Sequence, residues 1–265
     1  MWHELTERMP KSDIRNPDSE HTQLSSNLSA LHPNGASVEN SILQGLPDPE
    51  YEALLPSLEF VEFGIHQILQ EPGQSLEFGY FINTGLVSLL VVTSDARSVE
   101  VGIVGREGCV GAPLALGLRN SSKRALTQAS GTAFRITAES LRNLLARAPV
   151  LRERIGRYVV LQGLQVGQLA ACNRLHEVEQ RLARWLLMTH DRAGGDALPI
   201  THDLLAQMLG SGRPSVTLAA GMLQRAGSIA YTRGQITVLD RKALEHSACE
   251  CYGAIQRFSS GAFEI

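Results

Sequence analysis

The stretch AQMLGSGRPSVTLAAGMLQRAG, residues 206–227, contains two short apolar helical patterns that meet at Gly210. The first pattern places apolar side chains on adjoining faces of one helix, at Leu204, Leu205, Met208 and Leu209. Asp203 in the first turn of that helix complements its dipole. Gly210 follows where the chain needs a left-handed residue to turn, so the pattern predicts a helix that ends there.

A second helix is predicted to begin at about Arg213. Pro214 suits its first turn, because no backbone N–H partner is lost there. The predicted inward face consists of Val216, Ala219, Ala220 and Leu223. The side chains that point outward at the N-terminal end are Arg213, Ser215, Thr217 and Leu218. A recognition helix has this geometry: its first residues reach base edges, and the preceding helix crosses the phosphate backbone.

The segment SIAYTRGQITVLD, residues 228–240, predicts two short strands around Arg233 and Gly234, a hairpin-like wing. Between residues 199 and 245, five Lys or Arg oppose three Asp or Glu, a local charge of +2 in a chain of net charge −3. Because phosphate attracts local positive charge, we predict that this unit binds double-stranded DNA. The alternative is an ordinary helical hairpin within a core.

Composition fits a globular chain, since 43% of its 265 residues are hydrophobic and 19% are charged. This length allows two domains. No apolar run approaches the roughly 20 residues of a membrane span, so we expect no membrane partner. The N-terminus lacks the apolar segment of a secretory signal, which indicates a cytoplasmic location.

Three regions precede the helical unit. Residues 1–38 are polar and aperiodic, and we predict a disordered tail. Two short helices follow, leading into a β-rich region from about Val61 to Ile136, where turn signals separate short strands. This spacing predicts a small β-sandwich or roll.

From Ala138 the pattern is helical, and Pro149 is expected to separate two helices. The long helix after Pro149 carries an apolar seam at Leu151, Ile155, Tyr158, Val159, Leu161, Leu164, Val166 and Leu169. This seam covers more surface than one small β-domain buries. We therefore predict a homodimer with paired long helices, the alternative being a helix that packs only on its own domain.

A β-roll, a long helix and a winged helix-turn-helix, in this order, resemble the Crp/Fnr superfamily of bacterial transcription regulators. The resemblance covers about residues 42–252 and is most specific in ITHDLLAQMLGSGRPSVTLAAGMLQRAGSIAYTRGQITVLD. It implies an α+β fold with a jelly-roll-like β-roll (double-stranded β-helix) and a homodimer on a two-fold symmetric operator. The implied segments are the tail at 1–38, a cyclic-nucleotide-binding-like sensory β-roll at 39–148, a dimerisation helix at 149–175, the DNA-binding domain at 176–252 and a C-terminal tail at 253–265.

The resemblance assigns DNA-contacting roles to part of this segment. Arg213 matches the arginine that reads guanine, while Ser215 and Thr201 match hydroxyls that contact phosphate. Pro214 stands where the family often has Glu, and Leu218 where it often has a second base-reading arginine. We therefore expect a different operator, with Leu218 against a thymine methyl group. Thr217 completes the outward face, and Arg233 in the wing is expected to contact phosphate.

The implied effector pocket departs from the nucleotide-binding members. Gly111 is retained, but Ala112 replaces the ribose-binding glutamate, and Lys123 and Arg124 lie near the Arg-Ser position. These cationic side chains can bind an anionic group, yet the ribose hydroxyl has no evident hydrogen-bond partner. We therefore expect no cyclic nucleotide cofactor, and either another effector or none.

The sequence contains no recognisable metal-binding motif. Cys249 and Cys251 form a CxC pair with only His246 close by, so we interpret the cysteines as plain thiols and predict no metal site. No cysteine precedes Cys109, which argues against the iron–sulfur chemistry of one family branch. His66 is a candidate haem ligand, but its position at a strand end favours an ordinary surface residue.

The sequence contains no P-loop, GxSxG, HExxH or paired-carboxylate motif, so we predict that the chain is not an enzyme. The family resemblance implies RNA polymerase as a further partner. The alternative function is a regulatory β-roll that acts through protein partners, with a weakened DNA-reading head. In the favoured mechanism, a signal at the β-roll shifts a population of dimers toward or away from a recognition-helix spacing of about 34 Å.

Overall fold

The structure, a computed structural model, describes residue 32 and residues 34–259. It begins with two short helices, α1 (Ser41–Gln44) and α2 (Asp48–Leu54), and a 3₁₀ turn at Leu55–Ser57. Asn40 begins α1, because its side-chain oxygen accepts hydrogen bonds from the backbone N–H groups of Ile42 and Leu43. The two short helices predicted before the first strand are thus confirmed.

The next region is a β-roll made of two antiparallel sheets. Its strands are β1 (Glu59–Phe63), β2 (Ile68–Gln70), β3 (Phe78–Ile82), β4 (Leu86–Val92), β5 (Ser98–Val104), β6 (Cys109–Val110), β7 (Arg124–Ala129) and β8 (Gly131–Thr137). One sheet has the order β1-β8-β3-β6 and the other the order β2-β7-β4-β5. The predicted jelly-roll-like β-roll is confirmed.

The core of the β-roll lies between the sheets. Phe81 in β3 pairs with Phe134 in β8, and both side chains are fully buried with Leu89 of the opposite sheet. Strand β7 is not predicted by the sequence pattern. Its buried residues Ala125 and Thr127 are small or polar, so they give little apolar alternation.

Two helices follow the β-roll, α3 (Ala138–Leu145) and α4 (Pro149–Leu175). Pro149 begins the 27-residue α4, as predicted. The Glu50 carboxylate accepts hydrogen bonds from the backbone N–H groups of Val150 and Leu151, which complements the helix dipole. None of the described helices combines the length and hydropathy needed to cross a membrane.

The C-terminal domain consists of α5 (Val178–Ala193), β9 (Ala197–Leu198), α6 (His202–Leu209), α7 (Arg213–Arg225), β10 (Ile229–Thr232), β11 (Gln235–Val238), α8 (Arg241–Ser247) and α9 (Cys251–Ser259). The strands form one sheet in the order β10-β11-β9. Trp185, Leu205, Leu223 and Ile236 are buried in its core. The predicted helix pair and wing are therefore present.

The ends of the chain differ from the sequence analysis. Residues 253–259 belong to α9 rather than to a tail, because Ile255 is buried and Phe258 packs against the same apolar cluster as Leu169. At the other end, most of the predicted 1–38 tail lies outside the described residues. Its last residue, Val38, is fully buried in the β-roll core.

Candidate nucleic-acid interface

The turn between α6 and α7 has the conformation that the sequence requires. Gly210 lies in the left-handed region with φ +56°, and the Ser211 N–H donates to the Ala206 carbonyl at 3.0 Å. At the other end of α6, the Thr201 hydroxyl oxygen accepts a 3.2 Å hydrogen bond from the Leu204 N–H. Thr201 therefore caps α6 as well as lying at its exposed start.

Helix α7 separates a buried face from an outward one. The buried residues are Val216, Ala219, Ala220 and Leu223. The exposed residues at its N-terminal end are Arg213, Pro214, Ser215, Thr217 and Leu218. Leu218 is 63% exposed, so a large apolar side chain faces solvent in the middle of this surface. These are the faces that the periodicity predicts.

A polar network connects the starts of α6 and α7. His202 Nδ1 lies 3.0 Å from the Thr217 hydroxyl, and its ring stacks on Tyr231 with centroids 4.1 Å apart. Arg213 Nε lies 3.3 Å from Asp203 Oδ1 in an exposed ion pair. Burial, and then the charge of Arg213, lower the pKa of His202, which favours its neutral ring at neutral pH.

Sequence reasoning missed this network. The sequence predicts His202 and Asp203 only as the start of a helix, and Tyr231 only as part of a strand. Their contacts cross the turn and the wing, and helical periodicity carries no signal of them.

The wing lies next to the start of α6. Arg233 and Gly234 form its tip with φ +39° and +83°, and Arg233 is exposed. A Cβ atom on Gly234 would lie 3.5 Å from Thr201 Cγ2. The structure thus brings the predicted residues of α6, α7 and the wing to one surface.

The predicted effector residues are only partly brought together. Gly111, Ala112 and Lys123 line a cavity of about 120 Å³, smaller than the roughly 300 Å³ at which ligand pockets usually begin. Burial lowers the pKa of Lys123. Arg124 does not line this cavity; its Nε pairs with Glu71 at 3.0 Å.

The cysteine side chains are distributed unequally. Cys109 is buried in the β-roll, whereas Cys172, Cys249 and Cys251 lie together beside His176. By sequence distance, His246 is the imidazole nearest the CxC pair, whereas the fold brings Cys172 and His176 beside it. The spacing of four residues between Cys172, in the last turn of α4, and His176, which follows the end of that helix, was the available signal. His66 is exposed in a turn with φ +64°.

Two family models match the chain. The cyclic nucleotide-binding domain matches residues 60–148, and the Crp-like helix-turn-helix domain matches residues 180–247. Together the two models span more than half of the chain. No curated protein sequence matches significantly.

Solved structures share the fold. A putative Crp/Fnr-family regulator from Eubacterium rectale is 18% identical, with TM-score 0.63, covering 78% of this chain and 97% of its own. A CRP-family regulator from Thermus thermophilus is 22% identical, with TM-score 0.61 and coverages of 71% and 96%. A c-di-GMP-responsive regulator from Xanthomonas campestris is 19% identical, with TM-score 0.61 and coverages of 72% and 99%. With both domain models in the same order, the chain belongs to the Crp/Fnr family of transcription regulators.

Proposed function

We propose that this regulator acts as a homodimer that reads a two-fold symmetric operator, with α7 of each subunit in the major groove. The observation that carries the proposal is the exposed N-terminal face of α7, flanked by the start of α6 and by the wing. An α-helix fits the major groove, and a dimer places two such helices one DNA turn apart.

Arg213 is the candidate base-reading residue. Its side chain is 65% exposed and pairs with the equally exposed Asp203. An exposed ion pair of this kind contributes little free energy, so the guanidinium is available to guanine O6 and N7. We expect Ser215 and Thr201 to donate hydroxyl hydrogen bonds to phosphate, and Leu218 to contact a thymine methyl group.

Support for a homodimer comes from the outward face of α4. Leu151, Ile155 and Tyr158 bury their side chains in their own chain, whereas Val160 is 63% and Leu164 40% exposed. A parallel copy of α4 would cover these two residues in a left-handed coiled-coil arrangement. Val160 and Leu164 lie one helical turn apart, so they form one exposed apolar patch on α4 that a partner helix can cover.

We infer that a signal at the β-roll shifts the dimer between two arrangements of its DNA-binding domains. In this chain α6 packs on β5: Gln207 Nε2 donates to the Ser98 hydroxyl, and Gly210 lies against Val99. A groove of about 700 Å³ lies between the β4–β5 hairpin and α6, and it leaves space for α6 to move relative to β5. The signal is an effector other than a cyclic nucleotide, or no small ligand, because the predicted pocket is small and holds no carboxylate at Ala112.

The same proposal includes RNA polymerase as a partner, a cytoplasmic location and no enzymatic activity. A protein that regulates transcription from promoter DNA acts where the polymerase acts. The alternative function, a β-roll that works only through protein partners, is not favoured, because the helix-turn-helix domain matches its family and the N-terminal face of α7 is exposed.

Selection from a random DNA library with the purified chain, without added ligand, tests the proposal. We expect an enriched palindrome with half-sites about one helical turn apart. Selection repeated with cell extract determines whether an effector is required. If neither selection enriches a DNA sequence, the proposed reading of an operator is wrong.

A further inference from the structure

We propose that Cys172, His176, Cys249 and Cys251 form a mononuclear zinc site that joins the end of α4 to the start of α9. The four candidate ligand atoms all lie within 4.8 Å of one another. This inference concerns a metal centre and is independent of the proposed DNA-reading function.

Two short sequence segments supply the ligands. Cys172 lies in the last turn of α4 and His176 immediately follows that helix, so their side chains project from the same side, one turn apart. Cys249 and Cys251 lie 77 and 75 residues further along the chain from Cys172 and His176, just before and at the first residue of α9. Tertiary packing therefore creates a Cys₃His set from two pairs, a composition typical of structural zinc sites.

The distances fit a single tetrahedral ion. Cys172 Sγ and Cys249 Sγ are 3.5 Å apart, and Cys251 Sγ and His176 Nδ1 are 3.6 Å apart. With zinc–sulfur bonds of about 2.3 Å, two sulfur ligands of a tetrahedral ion lie about 3.8 Å apart. A polynuclear iron–sulfur cluster distributes its thiolates over different iron atoms and requires wider spacing. A disulfide between Cys172 and Cys249 would instead require a sulfur–sulfur distance of about 2.05 Å.

The atoms around the ligands orient them for a metal. His176 Nε2 lies 3.1 Å from Glu250 Oε1, so this carboxylate can accept the Nε2–H and leave the Nδ1 lone pair toward the thiols. A carboxylate that holds the far nitrogen of a ligating histidine is the usual second partner of a zinc site. Gln168 Nε2 donates to Cys251 Sγ at 3.0 Å, a contact that favours a thiolate.

Buried positive charge gives an independent reason for an anionic centre. Arg181 and Arg184 in α5 are 7% and 3% exposed, and the Nε atom of each is buried without a hydrogen-bond partner in the described structure. The Arg184 guanidinium lies within electrostatic range of the Cys172 thiol, and the Arg181 guanidinium within range of the Cys172 and Cys249 thiols. Zinc with three thiolates and a neutral imidazole carries a net charge of −1. Binding releases the three thiol protons and places that charge near the two guanidinium groups.

The site has a structural consequence. It would attach the segment between α8 and α9 to the helix that carries the proposed dimer surface, across the junction of the two domains. Cys172, Cys249 and Cys251 are each less than 5% exposed, so the ion would be largely protected from solvent. A closed site with four protein ligands is structural rather than catalytic.

Metal analysis of the untagged full chain, purified under reducing conditions, tests the proposal. We expect about one zinc per chain, and after chelation we expect Co²⁺ to produce the visible absorption bands of tetrahedral thiolate coordination. The matched variants are Cys249→Ala and Cys109→Ala, which each remove a buried thiol. Zinc should be lost only in Cys249→Ala, and circular dichroism should verify that both variants are folded.

A second variant keeps the test valid if Cys249→Ala does not fold. Glu250→Gln removes only the carboxylate behind His176 and should weaken zinc affinity by about 10- to 100-fold. Three outcomes contradict the proposal: no zinc or cobalt binding by the reduced chain, iron and sulfide in place of zinc, or a Cys172–Cys249 disulfide found by mass spectrometry without a metal.

Discussion

Trp185 in α5 donates a 2.9 Å hydrogen bond from its indole Nε1 to Oε1 of Glu100 in β5, and both side chains are buried. This contact joins the DNA-binding domain to the β-roll. Ser88 donates to the other carboxylate oxygen at 2.5 Å. Burial nevertheless raises the pKa of Glu100 to about 7, because desolvation outweighs the two hydrogen bonds and the positive charge of Arg184.

Glu100 should make stability depend on pH. Its pKa is higher in the folded chain than in the unfolded one, so its contribution is complete below the unfolded pKa and is lost as pH rises through about 7. Between pH 6 and pH 8 this loss amounts to about 1 kcal/mol in the free energy of unfolding.

Urea unfolding of the native chain and of Glu100→Gln at both pH values measures this effect. The variant has no proton to lose at this position. The change in its free energy of unfolding between the two pH values should therefore be smaller by that amount. Trp2→Phe in both chains leaves Trp185 as the fluorescent reporter. Equal pH dependence in the two chains contradicts a shifted Glu100.

Arg213→Ala should cost roughly 1–3 kcal/mol in operator affinity and relax selectivity at one base pair of each half-site. The reason is the loss of a bidentate contact with guanine. Binding to the selected operator and to its single-base variants measures both effects. Arg142→Ala removes an exposed cation from α3, away from this surface, and serves as the control. Unchanged base preference in Arg213→Ala disproves the reading role.

Arg233→Ala should weaken binding to all DNA sequences by a similar factor. Its exposed guanidinium at the wing tip is expected to neutralise one phosphate, so the slope of log affinity against log salt should decrease by about 1. Titrations of operator and unrelated DNA at several salt concentrations test this. If the loss depends on DNA sequence, Arg233 reads bases instead.

Leu164→Asp should shift the chain from dimer toward monomer, because a charge would replace an apolar side chain in the proposed α4 interface. Sedimentation velocity measures the shift, and palindrome affinity should fall with it. Ile68→Asp is the matched control, since Ile68 is 46% exposed on β2, an edge strand of the β-roll. If Leu164→Asp dimerises with the same dissociation constant as the native chain, the interface lies elsewhere.

Gly210→Ala should destabilise the chain more than Gly227→Ala. Both residues have positive φ, so each substitution incurs left-handed backbone strain of about 1 kcal/mol or more. Only at Gly210 would the new Cβ lie 2.9 Å from Val99 Cγ2, at the contact between α6 and the β-roll. Denaturant unfolding should show the extra loss, and Val99→Ala should restore part of it. Equal losses at the two glycines contradict a tight α6–β5 contact.

The sequence by itself determined most of the local structure. Gly210 and Pro214 mark the end of α6 and the start of α7, and the 3.6-residue period identifies the buried side of α7 through Val216 and Leu223. These features depend on backbone preferences and on neighbours within one or two turns, so a single sequence contains them.

Tertiary structure decided which distant side chains meet. It brought His176 to Cys251 across 75 residues, Trp185 to Glu100 across 85, and His202 to Thr217 across the turn. It also buried Ile255 in a helix where the sequence predicted a tail. Such contacts arise when whole apolar faces pack together, and the resulting burial, not any local pattern, sets the pKa of Glu100 and gathers the thiols.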